Sequence, residues 1–211
     1  MKINQTRNRS RKSLLANAGA FLFIAGFLIF MGIITGEILY TLDFSTRNSY
    51  ISELAAALPE GTITPRLSAA IFNITMMISG LMVLLSTYFI LSSSKKMLAG
   101  IPLGLFGLGI LGVGVFPGDV VPWHGIFANI IFLAGGIGAI TSFKIVLSPL
   151  RYIFIFLGCI ALVFLFSYNH FVPVMGVGGV ERWVFYPLVF WITGLGGYLL
   201  GLKDGPMAIL E

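Results

Sequence analysis

Asp43-Phe-Ser-Thr-Arg47-Asn48-Ser49-Tyr50-Ile51-Ser52-Glu53-Leu54 is the one long polar interruption in an otherwise apolar chain. Its acids, base, amide and hydroxyls, taken with the two histidines of the sequence, define the chemistry open to the protein. A metal site would draw on His124 and His170 with Asp119, Glu53 or Glu181. Catalytic zinc takes three protein ligands and a water, but no HxxxH or HExxH spacing supplies them here. A nucleophile would be Ser49 or Ser52 with His124 as its base, yet no GxSxG elbow is present. A haem between His124 and His170 has no further support. The reading without chemistry has Asp119, Arg47, Glu53, Arg66, His124 and Arg182 pairing to close one end of a helical bundle, because polar groups near lipid must find partners. The candidates are thus Asp119, His124, Ser52 and Glu53 for catalysis. Arg47, Asn48, Ser49, Arg66, Asn73 and Arg182 are the candidates for binding, and His124, His170 and Asp119 for metal.

The elements that would position these residues are membrane spans. The chain has 211 residues, 57% of them hydrophobic and 10% charged, where a soluble domain carries about 25% charged residues. Mean hydropathy is +0.98. The net charge of +5 is carried by few, dispersed residues, which argues against a nucleic-acid partner. Cys159 is the sole cysteine, so no intrachain disulfide can form. Residues 1–13 form a basic tail with Lys2, Arg7, Arg9, Arg11 and Lys12. The apolar run that follows, Leu14 to about Thr35, exceeds the roughly 7–15 residues of a signal-peptide core, so it reads as a retained span. Five more runs follow at about Leu67–Leu91, Ala99–Phe116, Trp123–Phe143, Tyr152–Tyr168 and Trp183–Leu202. Each approaches the ~20 residues that cross a bilayer. The fold class is therefore all-α, a six-helix transmembrane bundle over residues 14–202 with a tail at 203–211.

Lys and Arg orient it. With the N-terminus inside, Lys2, Arg7, Arg9, Arg11, Lys12, Lys95, Lys96, Lys144, Arg151 and Lys203 are inside, and Arg47, Arg66 and Arg182 outside, as the positive-inside rule expects. Both termini are then cytoplasmic and the protein is a multi-pass protein of the cell membrane. Glu37, Asp43, Glu53, Glu60, Asp119 and Glu181 gather outside with both histidines. Spans two to six hold no ionisable group near their centres, where a charge costs about 2.5–3.5 kcal/mol and is usually functional. That argues against an ion-coupled transporter or a voltage sensor.

In the first loop, Asn48 or Ser49 is the expected N-cap. Ile51, Leu54 and Leu58 then share one apolar face, giving a short helix along the membrane surface or folded over the bundle mouth, ended by Pro59-Glu60-Gly61. Ser52 and Glu53 should face the connector between the third and fourth spans. Asn73 should bond to another element, since a buried unpaired amide is costly. Gly100/Gly104 and Gly197/Gly201 have the spacing of close helix packing, and Pro187 should kink the sixth span. Trp123 and Trp183 read as interfacial anchors.

Asn48-Ser-Tyr-Ile51-Ser52-Glu53-Leu54 resembles the N-x-x-I-S-(D/E)-L element of the prokaryotic membrane-protein family called domain of unknown function 998. Gly114-Val-Phe-Pro117-Gly-Asp119 followed by His124 resembles its G-x-F-P-x-D…H element, and Asn73 matches its second-helix asparagine. The resemblance implies a polytopic helical membrane protein and brings no activity with it. The functional expectation is a binding or accessory membrane subunit whose outer face engages a lipid headgroup, a small ligand or a partner protein. The alternatives are a membrane enzyme, zinc-dependent or not, acting on a lipid at the outer interface, and a transporter of a neutral or lipidic solute. No oligomeric state is implied.

Overall fold

The computed structural model of the protein describes residues 2–40, 43–56, 63–94 and 96–202, and for residues 2–9, 63–66 and 94 the backbone course alone. Leu58, the Pro59-Glu60-Gly61 stop, Lys95, the 203–211 tail and the side chain of Arg66 lie outside the described part. Six α-helices run in order: α1 (Lys2–Leu39), α2 (Ile63–Ser94), α3 (Met97–Val115), α4 (Trp123–Thr141), α5 (Leu150–Phe166) and α6 (Tyr168–Gly201). Short 3₁₀ turns occupy Ile51–Ala55 and Ser142–Lys144. No strand occurs among the described residues. Five helices are long and apolar enough to cross a membrane; α5, with 17 residues, is shorter and spans about 26 Å.

Each helix packs on its neighbours in sequence, and α1 packs on α6, which closes the six into a ring. The helices are apolar on both faces, the pattern of a span rather than of a surface helix in water. In α3, Leu103, Phe106 and Ile110 are buried while Ile101, Leu105 and Leu108 are exposed. The ring is filled from α6 by Trp191, which packs against Phe106 (centroids 5.5 Å apart) and donates its indole N–H to Ser142 Oγ at 2.8 Å.

Two kinds of contact bring backbones together. Along α2, Ser68, Ser79 and Ser86 donate to the carbonyl oxygens of Gly36, Ala25 and Ala18 on α1, the small polar contacts that join helices where lipid gives no hydrophobic drive. Between α1 and α6, the approach is so close that a methyl group on Gly196 would lie 2.5 Å from Phe23 N. Of the two expected glycine pairs, Gly100/Gly104 faces Leu91 and Thr87 of α2, within the bundle. Gly197/Gly201 does not form the seam: Gly201 faces open space, and Gly19 with Gly196 takes that role. Trp123, at the start of α4, and Trp183, seven residues past Gly176 in α6, are both exposed.

The final connector differs from expectation. Asn169–Arg182 is helical and part of α6, with the break at Gly176 (φ 75°, ψ 166°) rather than at Pro187. Its one proline and three glycines read as a loop, but Pro173 is accommodated in the helix and only Gly176 leaves helical geometry.

Candidate functional site

The helix break positions the site. Past Gly176, α6 resumes, and its first amide groups have no partner one turn earlier. Gly178 N and Gly179 N instead donate to Arg47 O at 2.9 and 3.2 Å. This docks the first loop, backbone to backbone, on the start of the second half of α6. Only glycine permits it. A methyl group would lie 2.2 Å from Arg47 O at Gly176 and 2.2 Å from Ser49 O at Gly178, and the positive φ at Gly176 is itself a glycine conformation.

Arg182 lies one turn further on and is 9% exposed. It donates through one terminal nitrogen to Thr46 O, Ser49 O and Gly178 O, each at 3.0 Å. The other terminal nitrogen meets Glu37 Oε1 on α1 at 2.6 Å. Its guanidinium also lies 5.6 Å from the centroid of the Phe44 ring. One cation thus joins α1, the loop and α6. Breaking such a buried pair from one side leaves a charge without compensation.

Glu181 faces the other way. Its carboxylate accepts from Ile51 N and Ser52 N at the start of the 3₁₀ turn, where free N–H groups favour an anion. Glu53 Oε1 turns back to accept from Tyr50 N at 2.8 Å, the carboxylate half of a capping box. Tyr50 is therefore the residue before the turn, in place of Asn48 or Ser49. Those two are held in a preceding turn by Ser45 O, which accepts from both their amides at 3.0 and 2.7 Å. Ile51 and Leu54 are buried, as their spacing required. Just past α1, burial and then the neighbouring charge of Glu53 raise Tyr40 above the ordinary phenol value.

Under the turn lies a cavity of about 40 Å³, lined by Ser52, His124, Glu181 and apolar side chains of α2, α3, α4 and α6. It has room for about three waters at roughly 10–15 Å³ each, far below the ~300–1,000 Å³ of a small-molecule site. His124 is 8% exposed and its Nδ1 lies 2.8 Å from Phe116 O. A carbonyl can only accept, so Nδ1 donates, which in the neutral imidazole leaves Nε2 as an acceptor.

The remaining sequence candidates fall as follows. Ser52 faces the α3–α4 connector, where its carbonyl packs against Gly118. Glu53 does not, because the free amide of Tyr50 draws it back. Asn73 Nδ2 donates to Ala55 O at 3.1 Å, while its Oδ1 is buried without a partner among the described residues. Arg47 also reaches Val174 O at 3.2 Å. Asn48, Asp119 and His170 are exposed, and His170 lies edge-on to Phe171. Among the described residues no three His, Cys, Asp or Glu side chains gather into a metal-binding group. His124, His170 and Asp119 are therefore not brought together as ligands.

Sequence reasoning missed Glu37 and Glu181 as anchors of the loop, and Gly176 and Gly178 as its seat. The available signal was Gly176-Val-Gly178-Gly179 leading into Glu181-Arg182. A glycine cluster entering a helix marks close backbone approach, and the adjacent opposite charges supply the pairing groups.

Fold and site together define a multi-pass helical membrane protein whose first loop is clamped on its last helix. The model of the family described as Protein of unknown function (DUF998) matches residues 23–198, and the chain belongs to that family. No curated protein and no solved structure matches the chain.

Proposed function

We propose that the protein is a non-catalytic binding or accessory subunit of the cell membrane. In this reading the chain crosses six times with both termini cytoplasmic, and its outer face engages a lipid headgroup, a small ligand or a partner protein. The observation that carries it is the use made of the charged groups. Arg182, Glu37 and Glu181 are all turned inward to hold the 43–56 segment, so the outer end supports a fixed surface rather than an open cleft. Arg47, Asn48, Tyr50, Asp119 and His170 lie on or beside that surface. The six-crossing count is supported by the closed ring, in which α5 packs between α4 and α6, and 17 residues is the lower limit for a span.

The test is mass spectrometry of the full chain purified from its membrane, alongside an Asp119→Ala/His170→Ala variant. A stoichiometric lipid, ligand or partner that the variant loses while keeping its fold is the expected result. No bound component in either sample contradicts the reading.

One observation favours a second reading, an enzyme acting on lipid at the outer interface: Ser52, His124 and Glu181 share one cavity. In that reading His124 Nε2 takes the proton and Ser52 assists. A His124→Ala variant that folds and leaves lipid turnover by the purified protein unchanged removes it.

A further inference from the structure

A groove of about 440 Å³ runs along the outside of the bundle between α5 and α6. Phe156, Leu157 and Ile160 of α5 form one wall, and Trp183, Tyr186 and Phe190 of α6 form the floor. Phe30 of α1 packs against Tyr186 and Phe190 from the opposite side, with ring centroids 5.5 and 4.9 Å away. Phe164 stacks on Trp183 at one end, with centroids 5.1 Å apart. Phe156 is 62% exposed and Phe190 58%, so the groove opens sideways, away from the helix ring. From Arg182 to Phe190 it follows α6 for about 12 Å. That is close to the ~15 Å depth of one bilayer leaflet, half the ~30 Å hydrocarbon core.

The two ends differ. Arg182 lines the end nearer the clamp. Its Nε, in a side chain 10% exposed, has no acceptor among the described residues, and the Tyr186 hydroxyl stands beside the guanidinium. The rest of the lining is hydrocarbon and aromatic. Trp183, at the level of Arg182, is the residue type that settles at a membrane interface. Polar groups sit at the interface end and an apolar trough of leaflet length runs inward from it. That is the complement of an amphiphile standing in one leaflet.

We propose that this groove is a lipid site: it takes one hydrocarbon chain of a bilayer phospholipid, with the lipid's ester or phosphate oxygens at the Arg182–Tyr186 end. The site lies in the wall of the bundle, so it is independent of whatever the outer surface binds, and its failure would leave that reading untouched.

The test uses the full chain in nanodiscs of phosphatidylcholine doped with phosphatidylcholine bearing a photoactivatable acyl chain, with crosslinks mapped by peptide mass spectrometry. Crosslinks should concentrate on 156–160 and 183–190 over equally exposed positions such as Leu81 and Ile101, and excess unlabelled lipid should compete them away. Ile160→Trp, which fills the trough, should cut this labelling about tenfold. Phe156→Ala, which removes an exposed wall residue without touching the core, should cut it by a smaller factor and keeps the test available if the tryptophan variant does not fold. Tyr186→Phe should lower it about fivefold, as loss of one hydrogen bond gives. Labelling spread evenly over all outward apolar positions and unchanged in these variants would overturn the proposal. So would a co-purified protein, rather than lipid, crosslinked in the groove.

Discussion

The α1–α6 interface is built in two ways along its length. Deep in the bundle, away from the loop, it is Gly19 and Gly196, with backbones in contact. At the loop end it is Glu37 and Arg182, an ion pair with the cation buried and the carboxylate half-buried, which also takes hold of the 43–56 segment. The deep half is held by shape, and only glycine, which has no side chain, lets these backbones meet. The loop-end half is held by groups that cost free energy to bury unless every partner is in place. The contrast shows two routes to one seam: bare shape in the deep half, and at the loop end paired polar groups that fix one loop in one register.

The comparison can be broken at its strongest point first. Arg182→Ala should destabilise the protein by about 3 kcal/mol, the low end for breaking a buried pair, because the half-buried Glu37 loses its cation and two loop carbonyls lose their donor. Unfolding in mixed micelles measures this. Gly196→Leu tests the other half. The added side chain meets backbone at Phe23, and overpacking of this kind costs about 1–3 kcal/mol in the same assay. Unlike Arg182→Ala, it should leave the loop docked.

Glu181→Gln comes next. It keeps one oxygen to accept from the 3₁₀ turn but puts an amide nitrogen, which cannot accept, in place of the other, for a loss of about 0.5–1.5 kcal/mol, the net worth of one hydrogen bond. Its effect should appear as faster proteolysis around residues 50–56, with the transmembrane core intact. The smallest change is Ser86→Ala, which removes one donor to Ala18 O. About 0.6 kcal/mol is the average for such contacts between membrane helices, and resolving it needs a double-mutant cycle with Ser79→Ala.

Much of this was legible in the sequence, and the rest was hidden for physical reasons. Hydropathy located all six helices, because length and apolar content are what a bilayer selects. It also marked 43–54 as the exceptional segment. Ile51 and Leu54 were readable as buried from their spacing alone. The clamp was not readable, because it is made mostly by backbone. Arg47, Thr46 and Ser49 contribute carbonyl oxygens, which carry no sequence identity, and Gly176 and Gly178 contribute an absence of side chain. Glu37 looked like the end of a helix and not like a partner for a residue 145 positions away. Asp119 and His124 lie five residues apart on one connector, yet the fold separates their roles. His124 turns inward to Phe116 O and the cavity, while Asp119 stays exposed. Spacing placed the two together but carried no information about which way each side chain turns.

The first loop is held to the bundle by α6 and is not a free segment in water. Amide hydrogen exchange of the full chain in nanodiscs tests it directly, comparing the protein with its Arg182→Gln variant. Slow exchange is expected at Asn48, Ser49, Ile51, Gly178 and Gly179 in the parent, with loss of protection at Ile51, Gly178 and Gly179 in the variant. Exchange at those amides as fast as in an unstructured peptide, in the parent protein itself, would contradict it.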